Sequence, residues 1–188
     1  MYARSGILSG MRVLRTPVGA SDHVIGEASA AVTVVEYGDF ECPYCAEASS
    51  GIHLMLLRYP GSVRFAFRHF PQEDVHPHAV LAAEASEAAA IQGKFWPMHD
   101  RLFRRQRNLT RSDLNAVARE IKLDPAAFAL AMDGHVSLTR IKAMAADGRK
   151  SGVRSTPAIF INGRPFDVSF DLQRLYDEID KELAALGK

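Results

Sequence analysis

A run of β-branched and apolar residues, Val32 to Tyr37, leads into Cys42-Pro43-Tyr44-Cys45, and a helically spaced stretch starts at Pro43. These are the chain's 2 cysteines, so every thiol sits at one junction between a strand and a helix. With Cys42 as the helix cap and Pro43 at the first helical position, Tyr44 and Cys45 hold positions whose N–H groups lack intrahelical partners. Those N–H groups point at the Cys42 sulfur. They and the positive end of the helix dipole favour a thiolate, so the Cys42 pKa is expected below the free value of about 8.5. Three positions apart on a helix, the two side chains are roughly 5 to 6 Å apart at Cβ, near the reach of a disulfide. The expected chemistry is reversible thiol–disulfide exchange. Cys42, at the exposed tip, attacks a substrate disulfide and Cys45, one turn inward, resolves the mixed disulfide.

Two other uses of the pair compete with this one. As a structural staple, a bridge closing so short a loop restrains the unfolded chain by only about 2 kcal/mol. A zinc site needs four ligands, and with no second thiol pair His76 and His78, or His99 or His135, would have to complete it. The near-zero net charge of +1 argues against a nucleic-acid protein or a general membrane-surface binder. No apolar stretch reaches the length of a transmembrane helix, so no stable membrane insertion is expected. The N-terminus places Arg4, Arg12 and Arg15 among Gly and Ser and builds no apolar signal core. As given, the chain reads as cytoplasmic, with the periplasm the alternative if it is a trimmed form.

At 188 residues the chain can bury one sizeable core with a smaller subdomain. Gly6, Gly10, Pro17, Gly19 and Gly26 make residues 1–31 an irregular extension, with a short strand expected near Met11 to Leu14. A central strand is expected over Val32 to Tyr37, then a helix over Pro43 to Arg58. Its stripe is Ile52, Met55, Leu56 and Tyr59, and Pro60-Gly61 stops it. Val63 to Phe70 alternates as a strand does, and strand, helix, strand implies a parallel crossover. From Val75 to about Lys150 the pattern is helical and alanine-rich, with Thr110 and Asp124-Pro125 as helix starts. So long a link cannot be one loop. The expected organisation is a sheet domain of residues 1–74 and 151–188 with a helical subdomain, 75–150, inserted into it. Ala158 to Ile161 and Arg164 to Val168 flank Asn162-Gly163, a two-residue hairpin signal, and Leu172, Leu175, Ile179, Leu183 and Leu186 mark a final helix.

This order of motifs resembles the DsbA-like branch of the thioredoxin superfamily. The matching stretches are Asp22 to Gly26, VTVVEYGDFECPYC over Val32 to Cys45, FRHFP over Phe67 to Pro71, VHPHA over Val75 to Ala79, GKFWPMHDRLF over Gly93 to Phe103, and GVRSTPAIFING over Gly152 to Gly163. The resemblance implies an α/β thioredoxin fold with an inserted all-helical subdomain. It also implies a thiol–disulfide oxidoreductase acting on protein substrates, with no metal or organic cofactor. A redox recycling partner is implied too, with glutathione or a thioredoxin-type protein as candidates. Within it Thr156-Pro157 takes the cis-proline loop that faces the dithiol. A proline at a strand start removes one ladder N–H, which frees the Thr156 backbone to hold an extended substrate segment. Glu36 takes the position of a buried acid that exchanges a proton with the inner thiol. On its residues alone Glu36 is odd, a carboxylate among Val34, Val35 and Tyr37, where burial would raise its pKa. The alternative is a strand-end Glu paired to an Arg or Lys.

Pro43-Tyr44 between the thiols matches glutaredoxins, whereas the strongly oxidising periplasmic enzymes of the family carry Pro-His there and Val before the cis-proline. The dipeptide suggests a second reading, a glutathione-dependent reductase or transferase, and a third is a redox-sensing or holdase-like binding module with little turnover. Arg101, Arg104, Arg105 and Arg107 read as a solvated helix face, Phe95, Trp96 and Met98 as packing, and His76 and His78 as local structure around Pro77.

Overall fold

The computed structural model describes residues 13–167 and 171–187. Strand β1 (His23–Ile25), β2 (Val32–Gly38) and, after helix α1 (Pro43–Arg58), β3 (Val63–His69) form one half of the sheet. Helices α2 (Ala79–Ile91), α3 (Phe95–Arg104), α4 (Arg111–Glu120), α5 (Pro125–Asp133) and α6 (Leu138–Lys150) follow without a strand. Strands β4 (Ala158–Ile161) and β5 (Arg164–Phe166) and helix α7 (Leu172–Ala185) complete the chain. The sheet runs in the order β1-β3-β2-β4-β5. Only β2 and β3 pair in parallel, with Glu36 opposite Phe67, while β4 lies antiparallel to β2 with Ile159 opposite Glu36. The mixed sheet with helices on it is a thioredoxin fold.

Alternation along the strands divides the core in two. Val32, Val34, Phe65, Phe67, Ile159 and Ile161 face the larger cluster with α1, α7 and the helical layer, whereas Val35, Tyr37, Ala66 and Phe160 face a smaller one. Glu36 shares parity with Val32 and Val34, so its carboxyl is aimed into the larger cluster, which also holds both cysteines. Helix α2 buries nearly every side chain, because its alanines let it pack against α3, α4, α5 and α6 at once. Helix α6 crosses the other face at Gly148, where an added Cβ would come within 2.8 Å of Phe70 and 2.9 Å of Tyr37. The Asn162-Gly163 turn has both residues at positive φ, 47° and 80°, as a two-residue hairpin requires.

Several expectations shift. The strand expected near Met11 to Leu14 lies partly outside the described residues, and Val13 and Leu14 are not in a strand, although the Leu14 N–H donates to the Gly163 carbonyl at 3.0 Å. The strand that does precede β2 is β1, three residues long and defined by its pairing with Phe65 to Phe67. Residues 14–22 lie over the smaller cluster and are held by the buried Arg68. Its guanidinium donates to Asp22 at 2.7 and 2.9 Å and to the carbonyls of Thr16 and Pro17 at 2.9 and 3.2 Å. Phe166 ends β5, and Val168 lies outside the described residues. Among the described residues no helix is long and apolar enough to cross a membrane.

Candidate active site

Cys42 is the N-cap of α1, extended at φ −76° and ψ 120°, with Pro43 in the first turn and Cys45 one turn inward. Both cysteines are free thiols. The expected exposed tip is not what forms: Cys42 is only 3 % exposed, because the loop before β4 folds over it and brings the Thr156 carbonyl oxygen 3.3 Å from the sulfur. In its protonated form the thiol donates to that oxygen. The Thr156-Pro157 peptide is cis, and β4 starts at the next residue. Tyr44, 63 % exposed, turns outward beside it.

The Cys42 pKa falls to about 5. The largest favourable contribution is a hydrogen bond from the Cys45 thiol, which outweighs the cost of burial. The Thr156 side chain and the backbone N–H groups of Cys45 and Tyr44 add to it. The helix N-terminus therefore acts as expected but behind the partner thiol. Cys45 moves the other way, well above an ordinary thiol, because it is buried and because the Cys42 sulfur and Glu36 disfavour a second negative charge there. The two thiols are thus split into a ready nucleophile and a held proton.

Glu36 is 1 % exposed and pushed up to about 8, by burial first and by the charge of Cys42, with a hydrogen bond to Cys45 opposing. Among the described residues no Arg or Lys pairs with it, and its Oε1 has no hydrogen-bond partner, so the paired-carboxylate alternative falls. Gly38 leaves room for the carboxyl, since a Cβ there would meet the Phe67 ring at 2.4 Å and Glu36 Oε1 at 3.0 Å.

A second ring of groups, not among those expected from the sequence, surrounds residues 39–41. Asp39, buried, accepts from the Glu41 N–H at 2.8 Å and the Gln72 N–H at 2.9 Å, with His76 Nδ1 at 2.8 Å. Glu41 in turn accepts from the His78 N–H at 2.6 Å and meets its Nδ1 at 3.1 Å. His76 and His78 are therefore more than local structure around Pro77. They pair in register with the two acids just before the dithiol, and the matched spacing of 39/41 and 76/78 is the signal that could have revealed it. Gln72 Oε1 takes the Thr156 hydroxyl at 2.9 Å. Gln106, just beyond α3, donates through Nε2 to the carbonyls of Phe40 at 2.9 Å and Cys42 at 2.7 Å. A groove of about 750 Å³ opens along the loop before β4, lined by Tyr44, Glu47, Thr156, Pro157, Phe160 and Phe166 among others.

The histidines weighed for zinc go elsewhere: His99 to Asp100 and His135 to Glu84, as His76 and His78 go to Asp39 and Glu41. Among the described residues, side chains whose ligand atoms converge are His23, His69 and Glu87, and neither cysteine is with them. There the Arg140 Nε donates to both Glu87 oxygens at 3.0 Å. A guanidinium already neutralises that carboxylate and would repel a second cation, so the group is an ion-pair knot between β1, β3, α2 and α6. Arg101 and Arg105 pair with Glu120, and Phe95 and Met98 are buried with Trp96 packed against them, as expected of a solvated face and of packing.

Together this fold and this dithiol define a thioredoxin-fold domain of the DsbA-like kind. The chain belongs to the thioredoxin family, whose model, described as thioredoxin, matches residues 19–181. Among solved structures it is similar to oxidised BdbD from Bacillus subtilis, with a TM-score of 0.83 and 26% identity over 93% of this chain and 99% of that one. It is also similar to a thioredoxin-like oxidoreductase from Silicibacter pomeroyi, with a TM-score of 0.77 and 26% identity over 87% and 92%. Alpha-DsbA1 from Wolbachia pipientis shares the fold at 0.77 and 19% identity, over 92% and 98%. Of curated proteins, the Na(+)/H(+) antiporter NhaA 1 of Salinispora arenicola is 41% identical over 171 residues, 90% of this chain and 26% of the antiporter. The chain thus spans about a quarter of the length of such relatives.

Proposed function

We propose that the chain exchanges disulfides with protein substrates, with Cys42 as nucleophile and Cys45 as resolving thiol. In the reducing direction the Cys42 thiolate attacks a substrate disulfide, forming one S–S bond and expelling a substrate thiolate. Cys45 then gives up its proton and attacks the Cys42 sulfur. The Cys42–Cys45 disulfide forms and the second substrate thiolate leaves. The reverse sequence oxidises a substrate dithiol.

Glu36 takes the Cys45 proton. Before attack burial, with the charge on Cys42 adding to it, holds both Glu36 and Cys45 protonated. Once Cys42 is in a mixed disulfide that charge is gone, so the Glu36 pKa falls part of the way while burial still holds it above the ordinary carboxylate range, where it can take up and pass on a proton. The freed backbone of Thr156, and the groove beside Pro157, hold an extended substrate segment against the sulfur. Residues 75–150 act as a helical subdomain inserted between 1–74 and 151–188. Recycling falls to glutathione or a thioredoxin-type protein. A stabilised thiolate favours the reduced form, so the pair leans toward oxidising its substrates.

The observation that carries this reading is the asymmetry of the two thiols, Cys42 lowered to about 5 and Cys45 raised. Cys45→Ser tests it. The variant should accumulate a mixed disulfide with an unfolded, disulfide-bearing substrate, visible by non-reducing electrophoresis and released by dithiothreitol. Full turnover with glutathione by this variant would instead establish a monothiol glutathione enzyme.

A further inference from the structure

We propose that Gln106 is a positioning residue of the dithiol, its forked amide clamping the backbone on either side of Glu41 so that the helical layer sets how Cys42 sits on α1. The inference rests on the exchange function above and adds a residue to it.

The amide orientation follows from chemistry, since two carbonyl oxygens can be met only by the NH2 end. One nitrogen reaches both, at 2.9 Å to Phe40 and 2.7 Å to Cys42. The contact to Cys42 is the shortest that its carbonyl accepts, because the helical N–H groups of Cys45 and Ala46 lie at 3.1 and 3.3 Å. The clamped segment is also the one whose direction decides the site. Cys42 is extended at the helix cap, and residues 40–42 set the direction in which it enters the first turn.

The same helix end grips the segment a second way. The Phe103 ring lies 4.9 Å from Phe40, which is buried against Phe67 and His99 as well. On the opposite side Asp39 is held through Gln72 and His76. Residues 39–42 are thus held by both groups of contacts, and of these Gln106 is the side chain that bonds the Cys42 peptide itself. Its N–H dipoles also present their positive ends to the peptide carrying Cys42, which favours negative charge there.

The test is a series at one position, read by the pH midpoint of thiolate absorbance at Cys42 and by the second-order rate of exchange with a small aromatic disulfide. Gln106→Met keeps shape without donors, Gln106→Glu sets an acceptor against two acceptors, and Gln106→Lys restores donors. The midpoint should rise by about one unit in the Met variant and further in the Glu variant, with exchange near pH 5 slowed roughly tenfold, while the Lys variant returns to the wild-type value or below. Circular dichroism melts identify any variant that fails to fold, and the Lys variant then carries the comparison. Met and Glu variants that titrate with wild type would overturn the proposal, and so would a shift common to all three regardless of donor. A wild-type midpoint near that of a free thiol would sink the exchange reading itself, whatever Gln106 does.

Discussion

At the scale of single residues the site works by separating charges that would otherwise compete. One sulfur, Cys42, is made acidic by donors, and Cys45 and Glu36 are kept protonated by burial and by that sulfur's charge. Glu36→Gln should therefore leave the first attack by Cys42 nearly unchanged and slow the resolving step. In single-turnover experiments the mixed disulfide should persist roughly tenfold longer. The wild-type resolving rate should rise with pH through a midpoint below the value of about 8 that Glu36 has beside the Cys42 thiolate, and the Gln variant should lose that rise. An unchanged resolving rate would remove Glu36 from the proton path. The cysteine pair was legible in the sequence because its position between a strand and a proline-started helix is local. The shielding of Cys42 was not, since Thr156 arrives from 114 residues away and no periodicity encodes that contact.

Among elements, the ones read correctly carry their own punctuation. Helix α1 runs from Pro43 to Arg58 as expected, because Pro43 opens it and Pro60-Gly61 closes it. Thr110 forms a capping box with Asp113, and Asp124 caps α5 through the Ala127 N–H. Strand β1 was missed because three residues have no period to read, and its identity comes from pairing with β3. Helix α6 lies close on the sheet only because Gly148 has no side chain. Gly148→Ala should lower stability by about 1 to 3 kcal/mol, measured by denaturant unfolding, as Phe70 and Tyr37 are forced aside. The Cys42 midpoint should not move, since both rings face the smaller cluster and not the dithiol. A Cys42 midpoint that shifted with the melt would show that the two faces of the sheet are not independent.

For the whole molecule the perturbed groups make stability depend on pH and redox state. Cys42 has a folded pKa lowered from 9.0 to about 5, so its thiolate stabilises the reduced fold fully above about 9, and this is lost as pH falls through about 5. Glu36 has the opposite sign. Raised from 4.5 to about 8 in the reduced protein, it favours the fold less as pH climbs through that window. Comparing reduced with oxidised protein isolates the part that requires the Cys42 thiolate, its effect on Glu36 included. The reduced form should be the more stable at pH 7, with the difference shrinking toward pH 4. Calorimetry of both forms checks it, and a more stable oxidised form at pH 7 would mean that the disulfide is structural. Exchange at this site depends first on an activated Cys42, and its ionisation in the reduced wild-type chain, followed by thiolate absorbance and by the pH dependence of alkylation, decides whether it is activated. A single midpoint at about 5, with Cys45 silent through neutrality, is the predicted result. Two thiols titrating together near 9.0 would contradict it.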